Sequence, residues 1–195
     1  MSVVHLRDFK EWRGTPTLVL MDLHRNRLDA ANDGQDESVS SALANCRIAL
    51  HHARASGMPV AFARLVDEPS GFGESAGLPI WLDGFEPMRS EMIFDRQKPS
   101  CYASQDFSDM ADYVGGHCVL AGLYGESSCL ATLIEAHHRN HRFAFLADAS
   151  ASRTPQGVSS GAVHETLTGI VSLYAKIECT RSWMQHTRRT IEAVS

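Results

Sequence analysis

Three residues with chemically useful side chains follow predicted β-strands in this sequence. Asp22 ends the apolar run TLVLM, Lys98 follows the run MIF, and Cys129 follows the run HCVLA and the turn GLYGESS. Ligands of open parallel sheets bind outside the carboxyl ends of the strands, so we expect the carboxylate, the ammonium group and the thiol to share one edge. Taken singly, Asp22 could cap a turn, Lys98 could be a solvated loop residue and Cys129 could pack in the core.

Together, the three side chains are suited to acyl transfer from an amide through a thioester. A thiol attacks as the thiolate, and a helix N-terminus or a nearby cation lowers its pKa. Cys129 lies in the first turns of a predicted helix that Ser127 or Ser128 could cap, and Lys98 could supply the cation. Asp22 could accept the thiol proton and return it to the leaving group. Backbone N–H groups of the preceding turn could bind the oxyanion.

Apolar runs and helical patterns alternate along the chain. The expected strands are residues 17–21, 59–65, 92–94, 117–121, 142–147 and 175–179, and the expected helices are residues 38–55, 106–113, 127–138, 159–173 and 182–193. This alternation predicts an α/β fold, namely a three-layer αβα, Rossmann-like arrangement with a mostly parallel six-stranded sheet and helices on both faces. No repeat or linker divides the sequence, so we expect one domain over residues 1–195. The Gly- and Pro-rich stretch 67–88 predicts a functional loop or lid.

Composition and charge argue against several classes of protein. A formal net charge of -5 disfavours a nucleic-acid-binding protein, which needs a basic patch. No apolar run reaches the ~18 residues of a membrane span, and the N-terminal sequence MSVVHLRDFKEWRG carries charges where a signal peptide is apolar. The five cysteines are odd in number, widely spaced and without a CxxC pattern. We therefore expect free thiols and a cytoplasmic location.

The segments around the three residues resemble the isochorismatase-like cysteine hydrolases. The order Asp, Lys, Cys on LVLMDLHRNRL, FDRQKPSCYAS and VLAGLYGESSCLATLIEA is similar to that superfamily, which includes isochorismatases, nicotinamidases, N-carbamoylsarcosine amidases and ureide or biuret hydrolases. The resemblance extends over residues 17–180. The seven-residue spacing from Gly122 to Cys129 resembles the isochorismatase branch.

The resemblance implies a role for each residue. Asp22 would be the general base, Lys98 its cationic partner and Cys129 the nucleophile. The N–H groups of Tyr124 and Cys129 would form the oxyanion hole, next to a cis peptide bond at Leu123–Tyr124. Relatives commonly form dimers or tetramers, so the resemblance also implies a homo-oligomer that acts on a small-molecule substrate.

Four residues are candidates for the substrate pocket. His24 occupies a position that is often Gln or Asn in the family and that lines the pocket of relatives. Phe72 and Trp81 lie in the predicted lid, and Tyr124 lies beside the predicted nucleophile. For Phe72 and Trp81, ordinary anchoring of the loop is an equally good interpretation.

The sequence predicts no metal and no other cofactor. Nicotinamidases carry an Asp-x-His metal motif after the second strand, whereas Asp67 is followed here by Glu68 and Pro69. We therefore expect no zinc and a substrate other than nicotinamide.

Two other segments could in principle supply a nucleophile. Cys101 lies close to Lys98, but it lacks the glycine-serine turn and the helix start that accompany Cys129. Residues 157–161 match the G-x-S-x-G pattern, which needs a buried strand that ends at the turn. No such strand precedes this segment, so we interpret it as the start of a helix. We interpret Cys46, Cys118 and Cys179 as packing residues.

Retention of Cys129 favours hydrolysis of a C–N bond in a small amide or ureide, and two alternatives remain open. Isochorismatases hydrolyse a vinyl ether without requiring a cysteine, so the same pocket could cleave an enol ether through Asp22 alone. A non-catalytic binding protein or scaffold could also retain the fold, and the changed site neighbour His24 motivates this alternative.

Overall fold

The described strands form one parallel sheet. The computed structural model describes residues 15–25, 37–66, 80–153 and 158–194, with the backbone alone from residue 188 onward. The strands are β1 (Thr17–Met21), β2 (Val60–Leu65), β3 (Met92–Arg96), β4 (His117–Gly122), β5 (Arg142–Ser150) and β6 (Lys176–Glu178). Their order is β3-β2-β1-β4-β5-β6, and every neighbouring pair is parallel. The predicted α/β fold with a six-stranded sheet is confirmed.

Helices cover both faces of the sheet. They are α1 (Glu37–Ala55), α2 (Gln105–Tyr113), α3 (Leu130–His138), α4 (Ser160–Val171) and α5 (Thr180–Val194), with a 3-10 turn at Cys101–Ala103 and a π-helical turn at Gly125–Cys129. One apolar core contains residues of α1 and α5, and a second contains residues of α2, α3 and α4. Along β1, Leu18 and Leu20 belong to the first core, whereas Val19 and Met21 belong to the second. β1 is a continuous apolar run because both of its faces are buried.

Element boundaries differ from expectation at two places that bear on the site. β3 continues to Arg96, two residues beyond the predicted run MIF. The helix predicted from residue 127 begins as the π-helical turn Gly125–Cys129, and regular α-helix starts only at Leu130.

Two smaller expectations also have an outcome. Ser159 is the N-cap of α4, where its hydroxyl accepts a hydrogen bond from the Ala162 amide, so the described part of the G-x-S-x-G segment is a helix start as interpreted. Cys179 is exposed, so its interpretation as a packing residue is wrong. It lies just after the short strand β6, at the start of α5.

None of the helices in the described part of the chain has the length and apolar character needed to cross a membrane.

Candidate active site

Asp22 lies where the strand order of the sheet reverses. The chain runs from β1 outward to β2 and β3, then returns to β4 on the other side of β1. Asp22 directly follows β1, has no exposed surface, and adopts a positive φ of 56°. Its amide donates to the Ala63 carbonyl at 2.8 Å, which holds the residue at the end of the sheet. Open α/β sheets bind ligands at this kind of switch point.

Three donors converge on the Asp22 carboxylate. The Leu65 amide donates to Oδ1 at 2.7 Å. Oδ2 accepts from the guanidinium Nη2 of Arg96 at 2.6 Å and from the hydroxyl of Ser128 at 2.7 Å. Since every partner is a donor, the arrangement fits the ionised carboxylate, an acceptor-only group. Asp22 is thus held as a proton acceptor that already contacts one hydroxyl.

The cation that contacts Asp22 is Arg96, and not Lys98 as expected. Arg96 is buried at the end of β3, which neighbours β2, so its guanidinium reaches past β2 to the carboxylate after β1. Lys98 lies two residues further in the following loop, where its side chain is exposed. It lines a surface cleft of about 350 Å³ together with Asp95 and Arg96. Its backbone carbonyl accepts a hydrogen bond of 2.9 Å from Arg96 Nη1, so Lys98 helps to orient the arginine.

A sequence signal for Arg96 was present in the alternation of β3. Met92, Phe94 and Arg96 are buried, whereas Ile93 and Asp95 are exposed. The predicted strand, the run MIF, ends at residue 94, before the alternation of buried and exposed residues reaches the arginine. Extended by two residues, the period of two puts Arg96 on the buried face.

The π-helical turn sets which side chain faces Asp22. Tyr124 precedes the turn with a left-handed φ of 60°. Within the turn, Ser128 is almost fully buried and directs its hydroxyl to Asp22. The Ser128 carbonyl accepts a 2.8 Å bond from the Thr132 hydroxyl, which in turn accepts the Cys101 amide at 3.0 Å. π-helical turns are rare in proteins, and those that do occur are often found at functional sites.

Cys129 is a member of the apolar core formed with α2, α3 and α4. Its thiol has no exposed surface and lies 3.8 Å from the Leu123 carbonyl oxygen. Burial raises the pKa of the thiol well above its usual range, the Asp22 carboxylate raises it further, and the Arg96 guanidinium only partly opposes this. Burial and the nearby Asp22 carboxylate therefore both disfavour the thiolate of Cys129.

Cys101, the other nucleophile considered, is also buried in this core. Its sulfur lies 3.1 Å from Met21 Sδ. Burial raises the pKa of the Cys101 thiol to about 11, although the nearby Arg96 guanidinium opposes the shift. This geometry describes a packing residue beside the site.

The structure brings two of the expected pocket residues together. His24 is buried, with Nε2 4.0 Å from Asp22 Oδ1, and it forms an antiparallel bridge with Trp81. The Trp81 ring packs edge-on against Phe62 at 5.3 Å and under the Arg64 guanidinium at 5.0 Å. Phe72 lies outside the described residues, as does the greater part of the predicted lid.

Tyr124 contributes differently from the way its expected roles suggest. Its ring is buried beneath the Arg153 guanidinium, 5.0 Å from the ring centroid. The Cys129 amide, expected in the oxyanion hole, donates to the Tyr124 carbonyl at 3.3 Å within the π-helical turn. Peptide bonds of the described residues are all trans, so the expected cis bond at Leu123–Tyr124 is wrong. The chain instead changes direction through the left-handed conformation of Tyr124.

Comparisons with known proteins agree with this architecture. The isochorismatase domain model matches residues 16–171. Similar solved structures include an isochorismatase from Pseudomonas putida (21% identity, TM-score 0.74, covering 87% of this chain and 90% of that one). A cysteine hydrolase from Pseudomonas syringae has 15% identity and a TM-score of 0.78, with 90% and 93% covered. N-carbamoylsarcosine amidase from Thermoplasma acidophilum has 18% identity and a TM-score of 0.63, with 85% and 96% covered. At these identities the structures show a shared fold. None of the curated proteins matches the sequence significantly.

Proposed function

The chain belongs to the isochorismatase family of hydrolases, and on that premise we propose that it cleaves the C–N bond of a small amide or ureide. The observation that carries the proposal is the Asp22 carboxylate, which is buried at the switch point and already accepts a hydrogen bond from a hydroxyl. A carboxylate in this position can take the proton of a nucleophile and deliver it to the leaving nitrogen.

Arg96 supports this role because its charge is fixed. A guanidinium stays protonated in proteins, so it neutralises Asp22 without competing for the proton in transfer. Its second contact, with the Lys98 carbonyl, fixes its orientation. The carboxylate therefore keeps its orientation while it accepts and releases a proton.

The thioester at Cys129 stays a prediction with a specific obstacle. Only the thiolate attacks a carbonyl efficiently, and burial raises the pKa of this thiol. Formation of the intermediate would require Cys129 to leave its core contacts and transfer its proton to Asp22. The turn between β4 and α3 offers a second nucleophile in Ser128, which already contacts Asp22.

Enol-ether hydrolysis is the alternative that the geometry favours less. Such a reaction needs Asp22 to protonate the substrate as an acid. The Leu65 amide, the Arg96 guanidinium and the Ser128 hydroxyl all donate to the carboxylate, which is the arrangement of a group that begins the reaction as a proton acceptor. A non-catalytic scaffold would not need a buried carboxylate that accepts a hydrogen bond from a hydroxyl at the switch point of the sheet.

A panel of small amides tests the proposal. Wild-type protein is incubated with aliphatic amides, N-carbamoyl amino acids including N-carbamoylsarcosine, and ureides, and released ammonia or amine is measured. We expect turnover of at least one class. Asp22→Asn should lower that rate by about 10²–10⁴-fold, the range for a positioned general base.

The matched control is Asp109→Asn, which changes an exposed carboxylate on α2 that contacts Gln105. Circular dichroism and thermal melting verify that both variants fold. An inactive wild type across the panel contradicts the proposal, as does an Asp22→Asn variant as fast as wild type. Release of an enol-ether product with no amide turnover would support the alternative instead.

A further inference from the structure

We propose that Ser128, and not Cys129, is the nucleophile of this site, an inference that rests on the proposed C–N hydrolysis. The Ser128 hydroxyl donates to Asp22 Oδ2 at 2.7 Å. A nucleophile in hydrogen-bond contact with its base, with the base oriented by a third group, is the arrangement of an activated nucleophile. Arg96 is that third group, bound to the same carboxylate oxygen at 2.6 Å.

The neighbouring thiol of Cys129 is buried in the apolar core, where it lies 3.8 Å from the Leu123 carbonyl oxygen. Cys129, Leu133 and Ala136 follow one another at helical spacing and are all buried in the same core. Cys129, at the end of the π-helical turn, thus continues the inward stripe that Leu133 and Ala136 form on α3. Ser128 is one residue earlier, where the π-helical turn directs its hydroxyl to the edge with Asp22. Adjacent residues on a helical turn do not share a face, which separates the two roles.

The reaction proceeds in two balanced steps. In the first, Ser128 Oγ bonds to the carbonyl carbon of the amide, its proton moves to Asp22 Oδ2, the C–N bond breaks, and Asp22 returns the proton to the departing nitrogen. In the second, a water oxygen bonds to the acyl carbon and its proton moves to Asp22. The ester bond to Oγ then breaks, and Asp22 returns that proton to Ser128. The products are an amine or ammonia and a carboxylic or carbamic acid.

Surrounding groups assist this hydroxyl. Ser128 lies in the π-helical turn, two residues before the start of α3, whose aligned peptide dipoles favour negative charge on the attacking oxygen and on the oxyanion that follows. Both oxygens that exchange the proton are withdrawn from water. A low-dielectric surrounding strengthens the hydrogen bond between them.

The test compares neighbouring serines. Ser128→Ala should lower amide turnover at least about 100-fold, the low end for loss of a positioned proton-transfer group. Ser127→Ala is the matched control, since Ser127 lies in the same turn and is only half-buried. It should keep the wild-type rate. If Ser128→Ala folds and keeps more than about a tenth of the rate, Ser128 is not the nucleophile.

Trapping the acyl group locates the nucleophile directly. The protein is acylated with p-nitrophenyl acetate, quenched in acid and mapped by peptide mass spectrometry. We expect an oxygen ester on Ser128 that survives neutral hydroxylamine and that still forms in Cys129→Ala. An adduct on Cys129, cleaved by neutral hydroxylamine as a thioester is, would overturn the inference.

A variant with a cysteine at position 128 gives a second test, which does not depend on whether Ser128→Ala folds. Ser128→Cys, made in the Cys129→Ala background, places a thiol beside Asp22. It should become acylated at position 128 with an adduct that neutral hydroxylamine removes. Failure of this variant to react, while the wild type does, counts against Ser128. These outcomes are separate from failure of the proposed function, in which the wild type turns over none of the amides.

Discussion

Arg96 and Asp22 form an ion pair in which neither side chain has any exposed surface. Arg96 Nη2 lies 2.6 Å from Asp22 Oδ2, and the pair joins the end of β3 to the end of β1 across β2. The Leu65 amide of the intervening β2 also donates to the carboxylate. The end of the sheet is therefore tied together at the point where the candidate site lies.

Breaking this pair should cost substantial stability. Arg96→Met leaves the Asp22 carboxylate buried without its cation, and removal of one partner of a buried pair costs about 3–5 kcal/mol. Lys98→Met removes an exposed charge and should change the free energy of unfolding by no more than ~0.5 kcal/mol. Urea denaturation followed by circular dichroism measures both values. A larger loss in Lys98→Met than in Arg96→Met would mean that Lys98 is the functional partner of Asp22.

The fold was predictable because its signals are local. Buried parallel strands read as short apolar runs, such as Thr17–Met21, and helices with an inward stripe read as periodic patterns between them. The contact of Asp22 with Arg96, where the sequence predicts Lys98, shows what local signals omit. Lys98 and Arg96 are both near the end of a strand, and the extent of pairing with β2, which no single segment specifies, decides which of them points inward.

The contact between Ser128 and Asp22 is not predictable from the sequence for a related reason. Intrinsic reactivity favours a thiol, so the sequence predicts only a possible capping role for Ser128. The stripe of Cys129, Leu133 and Ala136 is the signal that could have placed the thiol in the core. The π-helical turn Gly125–Cys129 has no simple sequence signature, and it determines which of two adjacent side chains meets Asp22.

The five cysteines should differ sharply in reactivity. Cys179 is exposed, and hydrogen bonds from Ser182 lower the pKa of its thiol. The other four are buried, and burial raises the pKa of each, to about 12 for Cys46. Native protein should therefore show one fast-reacting thiol per chain with a disulfide reagent. Its rate should rise with pH and level off earlier than for an ordinary cysteine, because the thiolate forms at lower pH.

The control for this titration is Cys179→Ser, which should abolish the fast phase and leave the slow thiols unchanged. Denaturant should expose all five cysteines. Fast labelling of Cys129 in the native wild type would contradict the burial described for it. Such a result would restore the thioester hypothesis.

Gly122 should resist any substitution. It ends β4 with a φ of 128°, and an added Cβ would collide with the Met21 carbonyl oxygen and lie 2.6 Å from the Met21 amide nitrogen. The colliding atoms belong to the backbone of Met21, the residue immediately before Asp22, and they cannot move away without displacing Asp22. Gly122→Ala should therefore destabilise the protein by at least ~2 kcal/mol and also impair turnover. Gly161→Ala is the opposite case, since nothing lies within 4 Å of the new methyl group. It should stabilise α4 by up to about 1 kcal/mol. If thermal melting showed that Gly122→Ala and Gly161→Ala change the stability of the protein equally, this account of Gly122 would be contradicted.

Trp81 should affect substrate binding more than the chemical step. Its backbone pairs with that of His24, whose ring lies 4.0 Å from the Asp22 carboxylate, while its indole packs on Phe62 and Arg64. Trp81→Ala should raise KM for the amide substrate about tenfold, equivalent to ~1.4 kcal/mol of lost aromatic contact. It should leave kcat nearly unchanged, as expected when binding shared by ground state and transition state is lost.

The control for Trp81→Ala is Trp81→Phe, which retains a ring between Phe62 and Arg64 and should recover most of the affinity. Steady-state kinetics on both variants separate KM from kcat. If Trp81→Ala instead lowers kcat with KM unchanged, the indole acts through the position of His24 beside Asp22. The side chain would then be a positioning residue, because the reacting groups would be displaced while the binding surface for substrate stayed intact.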